Sequence, residues 1–306
     1  MNREQNNSAP DEELDLQTTR TIRQSLAAAT RRLRRAGIAD AGRDAATLLM
    51  LALDCDRTFL VVNPNLELNE DSQARFRQAI ARRARREPVQ YISNRQEFYN
   101  LEFEVTPDVL IPRPETELIV EAALELLRDN SAPRVCDVGT GSGAITVALL
   151  HEREDARAVA LDVSVGALAV ARRNAVRHNV DDRTRFIASD CFDALQHSER
   201  NAWQPFDVIV SNPPYIAEEE LPALQPEVRD FEPRAALTPG TDALHVIKRI
   251  LHDAPRFLVA NGYLIFEIGF GQSRAVAELI DEVVWRLIDI QADLQNIART
   301  FVLQKR

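Results

Sequence analysis

Two short strings hold residues whose types and spacing could do chemistry. The first is Ser211-Asn212-Pro213-Pro214-Tyr215. Asn212 offers a side-chain carbonyl oxygen and Pro213 a main-chain carbonyl, and the paired prolines fix φ so that both acceptors point one way. Two such acceptors would hold an NH2 group by both hydrogens. An amide or exocyclic amine nitrogen is a poor nucleophile because its lone pair is delocalised; fixing both hydrogens aligns that pair with an electrophilic methyl. A carboxylate has no hydrogens to donate and would be rejected, since a buried acceptor left unpaired costs ~1–3 kcal/mol. Tyr215 would supply an aromatic wall. The plainer reading of the string is a rigid turn.

The second string is Asp137-Val138-Gly139-Thr140-Gly141-Ser142-Gly143-Ala144. Glycines there let the backbone turn sharply and let a ligand approach without meeting a Cβ. The spacing marks a nucleotide-type cofactor site without identifying the cofactor, because Gly139, Gly141 and Ala144 also satisfy the dinucleotide pattern. Asp162, roughly twenty residues further on, is placed to accept both hydroxyls of a ribose. The plainer alternatives are a tight turn for the glycines and a strand-end cap for Asp162.

These strings need a frame. After Pro133 the pattern repeats strand, loop, helix: residues 134–138, 158–163, 184–188, 206–211 and 262–268 read as buried strands, and 144–152, 165–179, 242–257 and 273–284 as helices. Such alternation predicts a parallel α/β sheet wound on both faces, closed by an antiparallel pair at 283–290 and 299–303. Upstream, Ile22, Leu26, Ala29 and Leu33 recur at helical spacing. Residues 45–53 and 76–80 add helical segments, separated by Gly37, Gly42 and Asn63-Pro64. From Val89 a β-hairpin is expected around Phe98, Leu101, Phe103 and Val105, with Asn100 in its turn. Pro112 to Glu117 reads as the start of a helix over 118–127, where proline and acids suit the first turn. The domain expectation is a disordered tail over 1–19, a helical docking domain over 20–88, a hairpin linker over 89–112 and the catalytic domain over 113–306.

The 306 residues are 45% hydrophobic and 27% charged, as in a soluble globular protein, which excludes a wholly disordered or collagen-like chain. The longest apolar run, 45–53, is too short to cross a membrane, and residues 1–9 lack an apolar signal region, so a cytoplasmic protein is expected. Cys55, Cys136 and Cys191 give neither a disulfide framework nor a metal knuckle. His151, His178, His197, His245 and His252 show no metal spacing and are expected at the surface. The net charge of −10 is uneven: residues 20–90 carry 14 arginines against 8 acids, and 91–306 carry 22 basic residues against 34 acids. A duplex-binding enzyme would show a basic face where it tracks phosphates, so nucleic acid is disfavoured as substrate. The arginines at 31, 32, 34, 35, 82, 83, 85 and 86 are expected on solvated helix faces rather than on a docking surface for an acidic partner.

With these residues in view, the chain resembles the class I S-adenosylmethionine methyltransferases, and within them the release-factor glutamine methyltransferases of the HemK or PrmC type. The likeness runs from about Ser25 onward. It is carried by Glu87-Pro88-Val89-Gln90-Tyr91-Ile92, Glu97-Phe98-Tyr99, Ile111-Pro112-Arg113-Pro114-Glu115-Thr116-Glu117, the loop from Asp137 to Ile145, the Asn-Pro-Pro-Tyr string, Phe231-Glu232-Pro233-Arg234 and Glu267-Ile268-Gly269. Asn-Pro-Pro-Tyr alone is shared with adenine-N6 enzymes; the string at 111–117 is far more specific. A sister family that modifies a ribosomal-protein glutamine usually departs from it. The sequence departs from the family pattern at Asn94 and Asn100, where glycines are common, and asparagine tolerates the left-handed turns these positions would need.

The resemblance implies a Rossmann-like doubly wound sheet with a small N-terminal helical domain joined by a β-hairpin. It implies that Gly139, Thr140, Gly141, Ser142 and Gly143 surround the methionine part of S-adenosylmethionine and that Asp162 holds its ribose. Asp190 or Cys191 would border the adenine, and Asn212, Pro213, Pro214 and Tyr215 would bind the target amide. The implied reaction is N5-methylation of the Gly-Gly-Gln glutamine of a release factor, with the N-terminal helices gripping that partner and no membrane or metal involved. Rivals are an adenine-N6 nucleic-acid methyltransferase, which the acidic catalytic part disfavours, and a ribosomal-protein glutamine methyltransferase. A nicotinamide oxidoreductase would leave Asn-Pro-Pro-Tyr unexplained, and a binding module with a vestigial pocket would not need both motifs intact. Glu115, Glu117 and Glu267 are weaker candidates, the first two reading equally well as helix-start residues.

Overall fold

A computed structural model describes residues 19–196 and 204–306; the expected tail up to residue 18, and His197, lie outside these. The chain parts into two compact units, one formed by residues up to Asn94 together with Pro226–Phe231, the other by Arg95–Gln225 and Glu232–Arg306.

The first unit is helical: α1 (Ile22–Arg35), α2 (Ala41–Leu53), α3 (Arg57–Val62), α4 (Glu70–Ala84) and α5 (Val89–Ser93). Side-chain caps fix where three of them begin. Thr21 and Gln24 form a capping box on α1, Asp56 accepts from the Phe59 amide on α3, and Asn69 accepts from that of Ser72 on α4. Ile22, Leu33, Leu48, Leu49, Phe76 and Ile80 close a common core. Gly37, at φ +76°, ends α1 as expected, but Gly42 lies inside α2 and separates nothing. Thr19 is already buried, its hydroxyl accepting from Ser25.

Arg31, Arg34, Arg35 and Arg85 are exposed as expected, but three others at the end of α4 correct the expectation of solvated faces. Arg83 is buried between Asp44 at 2.7 Å and Glu227 at 3.0 Å, Arg86 reaches Glu227 at 2.7 Å, and Arg82 pairs with Glu87 at 2.6 Å. Glu227 comes from Pro226–Phe231, the excursion of the later chain into this unit. A buried ion is tolerated only when paired and hydrogen-bonded, which the contacts of Arg83 achieve.

The second unit opens with a hairpin, β1 (Arg95–Phe98) and β2 (Leu101–Glu104), joined through Tyr99 and Asn100, both with positive φ. That is the turn the two-residue spacing calls for, and Asn94 also takes a left-handed conformation. The hairpin starts later than the expected Val89, because residues 89–93 form α5.

Then come α6 (Glu117–Leu126), β3 (Arg134–Val138), α7 (Ala144–Glu152), β4 (Arg157–Asp162), α8 (Val165–Arg177), β5 (Thr184–Ala188), β6 (Phe206–Ser211), α9 (His245–Asp253), β7 (Leu258–Glu267), β8 (Trp285–Ala292) and β9 (Ala298–Lys305). The sheet runs β5-β4-β3-β6-β7-β9-β8, with β5 to β7 parallel and the final pair antiparallel. Successive strand residues feed opposite faces. Val135, Val208, Val210, Ile265 and Val302 pack with α6 and α7, while Cys136, Ile209, Leu264, Phe266 and Phe301 pack with α9.

Two expected helices are shorter than their patterns. The helix expected over 242–257 runs from His245 to Asp253, because Pro255 cannot donate to the next turn. That expected over 273–284 stops at Ala277; Asp281 then accepts the Val283 amide and turns the chain into β8.

The topology decides where ligands can bind. From β3 the chain steps outward through β4 to β5, then crosses back to place β6 on the other side of β3. At such a switch point the loops leaving the two strands diverge and open a crevice. Val138 and Ser211, the last residues of β3 and β6, are register partners, and the Ser211 hydroxyl donates to the Val138 carbonyl at 2.6 Å. Both chemical strings therefore leave the sheet side by side.

Candidate active site

A cavity of about 370 Å³ lies over these strand ends, within the ~300–1,000 Å³ range of small-molecule sites. Gly139, Thr140, Gly141 and Ser142 line it on one side, Asp162, Asp190 and Cys191 further along, and Asn212, Pro213 and Pro214 on the other.

The glycine side is made of backbone held by carboxylates. Gly139, Gly141 and Gly143 have φ of +75°, +56° and +80°, which only glycine adopts freely. A Cβ added at Gly139 or Gly141 would meet nothing within 4 Å, so the space beside them is open to a ligand. Gly143 differs. It is not part of the lining, and a Cβ there would come within 3.1 Å of Ala171, so its role is to let α7 start against α8.

Asp137, fully buried, accepts from the Thr140 and Thr146 hydroxyls, both at 2.7 Å on one oxygen. Its other oxygen has no partner among the described residues, and burial pushes the carboxyl from 3.8 up to about 6. Asp162 accepts the Gly141 amide on one oxygen and the Ser164 amide on the other, each at 2.8 Å. Burial pushes its carboxyl up, and the two amides oppose that. Each Asp162 oxygen keeps a second lone pair, so the carboxylate can fasten the loop and still accept ligand hydroxyls. Sequence reasoning missed Asn174. Wholly buried on α8, it donates to the carbonyls of Ser142 and Glu104 and so staples loop to hairpin. A lone amide between Ala171 and Ala175 was the available signal.

At the end of β5 the Asp190 side chain is engaged by Arg249 at 2.7 Å. Cys191, at φ +47°, has its carbonyl taken by the Ser189 hydroxyl, and burial raises its thiol to about 11. What remains toward the cavity is main chain and an un-ionised thiol.

The opposite side is a chain of side-chain hydrogen bonds. Asn212 Nδ2 donates to Thr116 Oγ1 at 2.9 Å, Thr116 Oγ1 donates to Glu267 Oε2 at 2.6 Å, and the Tyr215 hydroxyl donates to Glu267 Oε1 at 3.0 Å. Asn212 Oδ1 and the Pro213 carbonyl accept no hydrogen bond from the described residues. The Tyr215 hydroxyl is spent on Glu267, and its ring lies against Gly269. Burial and the adjacent carboxylate push its phenol up. Glu117, a weak candidate, caps the Tyr99 amide at 2.8 Å outside the site. Glu232 accepts from Arg113 and from the Ile111 amide, which fixes the segments carrying Pro112 and Pro233 at the cavity rim.

Residues 24–93 match the PrmC N-terminal domain family and residues 116–226 the Methyltransferase small domain family. The chain is 39% identical to the release factor glutamine methyltransferase of Koribacter versatilis, over 93% of this chain and 99% of that one. Identity to the enzyme of the same name from Geobacter sulfurreducens is 46%, over 78% and 81%. Among solved structures, the hMettl16 catalytic domain in complex with the MAT2A 3'UTR hairpin 6 aligns with a TM-score of 0.54 at 16% identity, covering 74% of this chain and 81% of that one. That likeness is one of fold.

Proposed function

Since the chain belongs to the release factor glutamine methyltransferase family, we propose that it methylates N5 of the Gly-Gly-Gln glutamine in a peptide chain release factor, using S-adenosylmethionine. The observation that carries this reading is the pair of unpartnered acceptors, Asn212 Oδ1 and the Pro213 carbonyl, beside a glycine loop at the sheet's switch point.

S-adenosylmethionine, when bound, supplies an electrophilic sulfonium methyl. The residues present fit it: open space at Gly139 and Gly141, spare lone pairs on Asp162 for ribose hydroxyls, and main chain at Asp190 and Cys191 for the adenine edge. Asn212 and Pro213 take the two amide hydrogens and hold the nitrogen in one orientation. Positioning of this kind contributes up to ~7–11 kcal/mol to a two-reactant step. A glutamate in the same place would set its oxygens against two acceptors. Neither Glu267 nor Asp137 lines the cavity, so no base is assigned and the surplus proton leaves to water.

We assign release-factor docking to the helical unit, residues 20–88, and place the enzyme in the cytoplasm with the translation machinery. No described helix is long and apolar enough to cross a membrane. The test offers methyl-labelled S-adenosylmethionine with a release factor, a ribosomal protein and DNA in parallel, and locates the label by peptide mass mapping. Label on the release-factor glutamine is expected; label on nucleic acid or ribosomal protein instead overturns the proposal.

A further inference from the structure

An asparagine amide has an acceptor end and a donor end of almost equal shape, and the reading above works only if oxygen faces the substrate. Nothing in the cavity itself distinguishes the two ends. We propose that Thr116 and Glu267 are positioning residues that fix the polarity of the Asn212 amide, and through it the choice of glutamine over glutamate; this rests on Asn212 being the amide acceptor.

Counting hydrogens gives the direction. A carboxylate has none, so the Thr116 hydroxyl, 2.6 Å from Glu267 Oε2, spends its single hydrogen there. Only a lone pair of Thr116 Oγ1 is left toward Asn212, and the atom 2.9 Å away must be a donor, the NH2 end. Oxygen is thereby turned to the cavity. The second carboxylate oxygen receives the Tyr215 hydroxyl at 3.0 Å, so the whole group is wired as an acceptor.

The reverse wiring is also self-consistent, which is why the charge on Glu267 matters. A protonated Glu267 would donate to Thr116, Thr116 would donate to the asparagine oxygen, and the NH2 end would face the substrate, suiting a carboxylate. Glu267 is only 2% exposed, and burial pushes its carboxyl up, with the Glu115 charge adding to that push. The hydroxyls of Thr116 and Tyr215 and the charge of Arg299 pull it down. Thr116 ends the short turn Pro114–Thr116 at the start of α6, which gives a chemical task to a string otherwise read as a helix start.

The test measures, by calorimetry, the affinity of full-length protein for a release factor carrying glutamine and for the same factor with that glutamine changed to glutamate. Wild type is expected to prefer glutamine by about 10- to 100-fold, the range of one or two buried acceptors left unpaired. Thr116→Val and Glu267→Gln should bring the ratio to within about threefold of unity, and Thr116→Ser should restore it. Thermal unfolding of each variant reports folding. A purely structural role would weaken both partners alike and leave the ratio standing. A wild-type ratio that persists in folded Thr116→Val or Glu267→Gln overturns the positioning role alone, whereas a wild type without preference overturns the amide reading and this inference with it.

Discussion

The two sides of the cavity are built on opposite plans. The glycine side presents backbone, and its polar side chains turn inward: Asp137 to two threonines, Asp162 to two amides, Asn174 to two carbonyls. The Asn212 side presents a side chain, steered by a hydrogen-bond chain whose members come from residues 116, 212, 215 and 267. A ligand common to many enzymes can be met by a loop whose shape follows from its own sequence. A substrate distinguished by a single NH2 group needs an oriented atom, and orienting it draws on distant parts of the chain.

The largest effect tests this contrast directly. Asn212→Ala should lower methyl transfer by about 10²- to 10³-fold, the order seen when one oriented polar group is lost from a reacting centre, while leaving S-adenosylmethionine affinity within a few-fold. Labelled-methyl transfer and calorimetry on the same protein check both halves, and a comparable loss of cofactor affinity would erase the division of labour. On the other side, Asp162→Ala removes two charge-assisted hydrogen bonds, one to the loop at Gly141 and one to Ser164 at the start of α8, each worth ~1.5–3 kcal/mol. It should weaken cofactor binding about 100-fold and lower the melting temperature together; lost affinity at unchanged melting temperature would mean that Asp162 serves the ligand alone.

A third prediction concerns pH. The Asp137 carboxyl titrates near 6 in the fold against an ordinary 3.8, so the native state holds its proton where the unfolded chain has released it. Stability relative to Asp137→Asn should be unaffected below about pH 4 and fall as pH rises through 6, by on the order of 2–3 kcal/mol. Denaturant unfolding of both proteins across that window reads the slope, and parallel curves would refute the buried, half-partnered carboxyl. The smallest effect is expected at Gly143→Ala, which should cost about 1–2 kcal/mol through its φ and its approach to Ala171. Unfolding free energy measures it, and stability should suffer more than at Gly139→Ala, where the added methyl meets open space.

What could be read from the sequence follows the same division. Gly139, Gly141, Asp162 and residues 211–214 sit in local patterns with fixed offsets from a strand, and the structure gathers them at one cavity. Thr116 went unnoticed because its partners lie 96 and 151 residues away, and nothing in a linear string ranks a threonine above the acids beside it. Gly143 looked like its neighbours, since sequence does not say whether a glycine yields to a ligand or to a helix. Arg83 read as part of a solvated charge run because Asp44, which buries it, is 39 residues off. The ring of Tyr215 suggests a wall, and only the fold shows that its hydroxyl meets Glu267, 52 residues away.

The excursion of Pro226–Phe231 bears on how this protein could be cut or recombined. Glu227, set between Arg83 and Arg86, makes the helical unit discontinuous in the gene. Cleaving the chain after Asn94 does not release two self-sufficient modules: one half loses an anion its arginines require, and the other keeps a carboxylate stripped of its counter-charges. Swapping the helical part between relatives as a cassette would therefore have to carry that six-residue segment along with it.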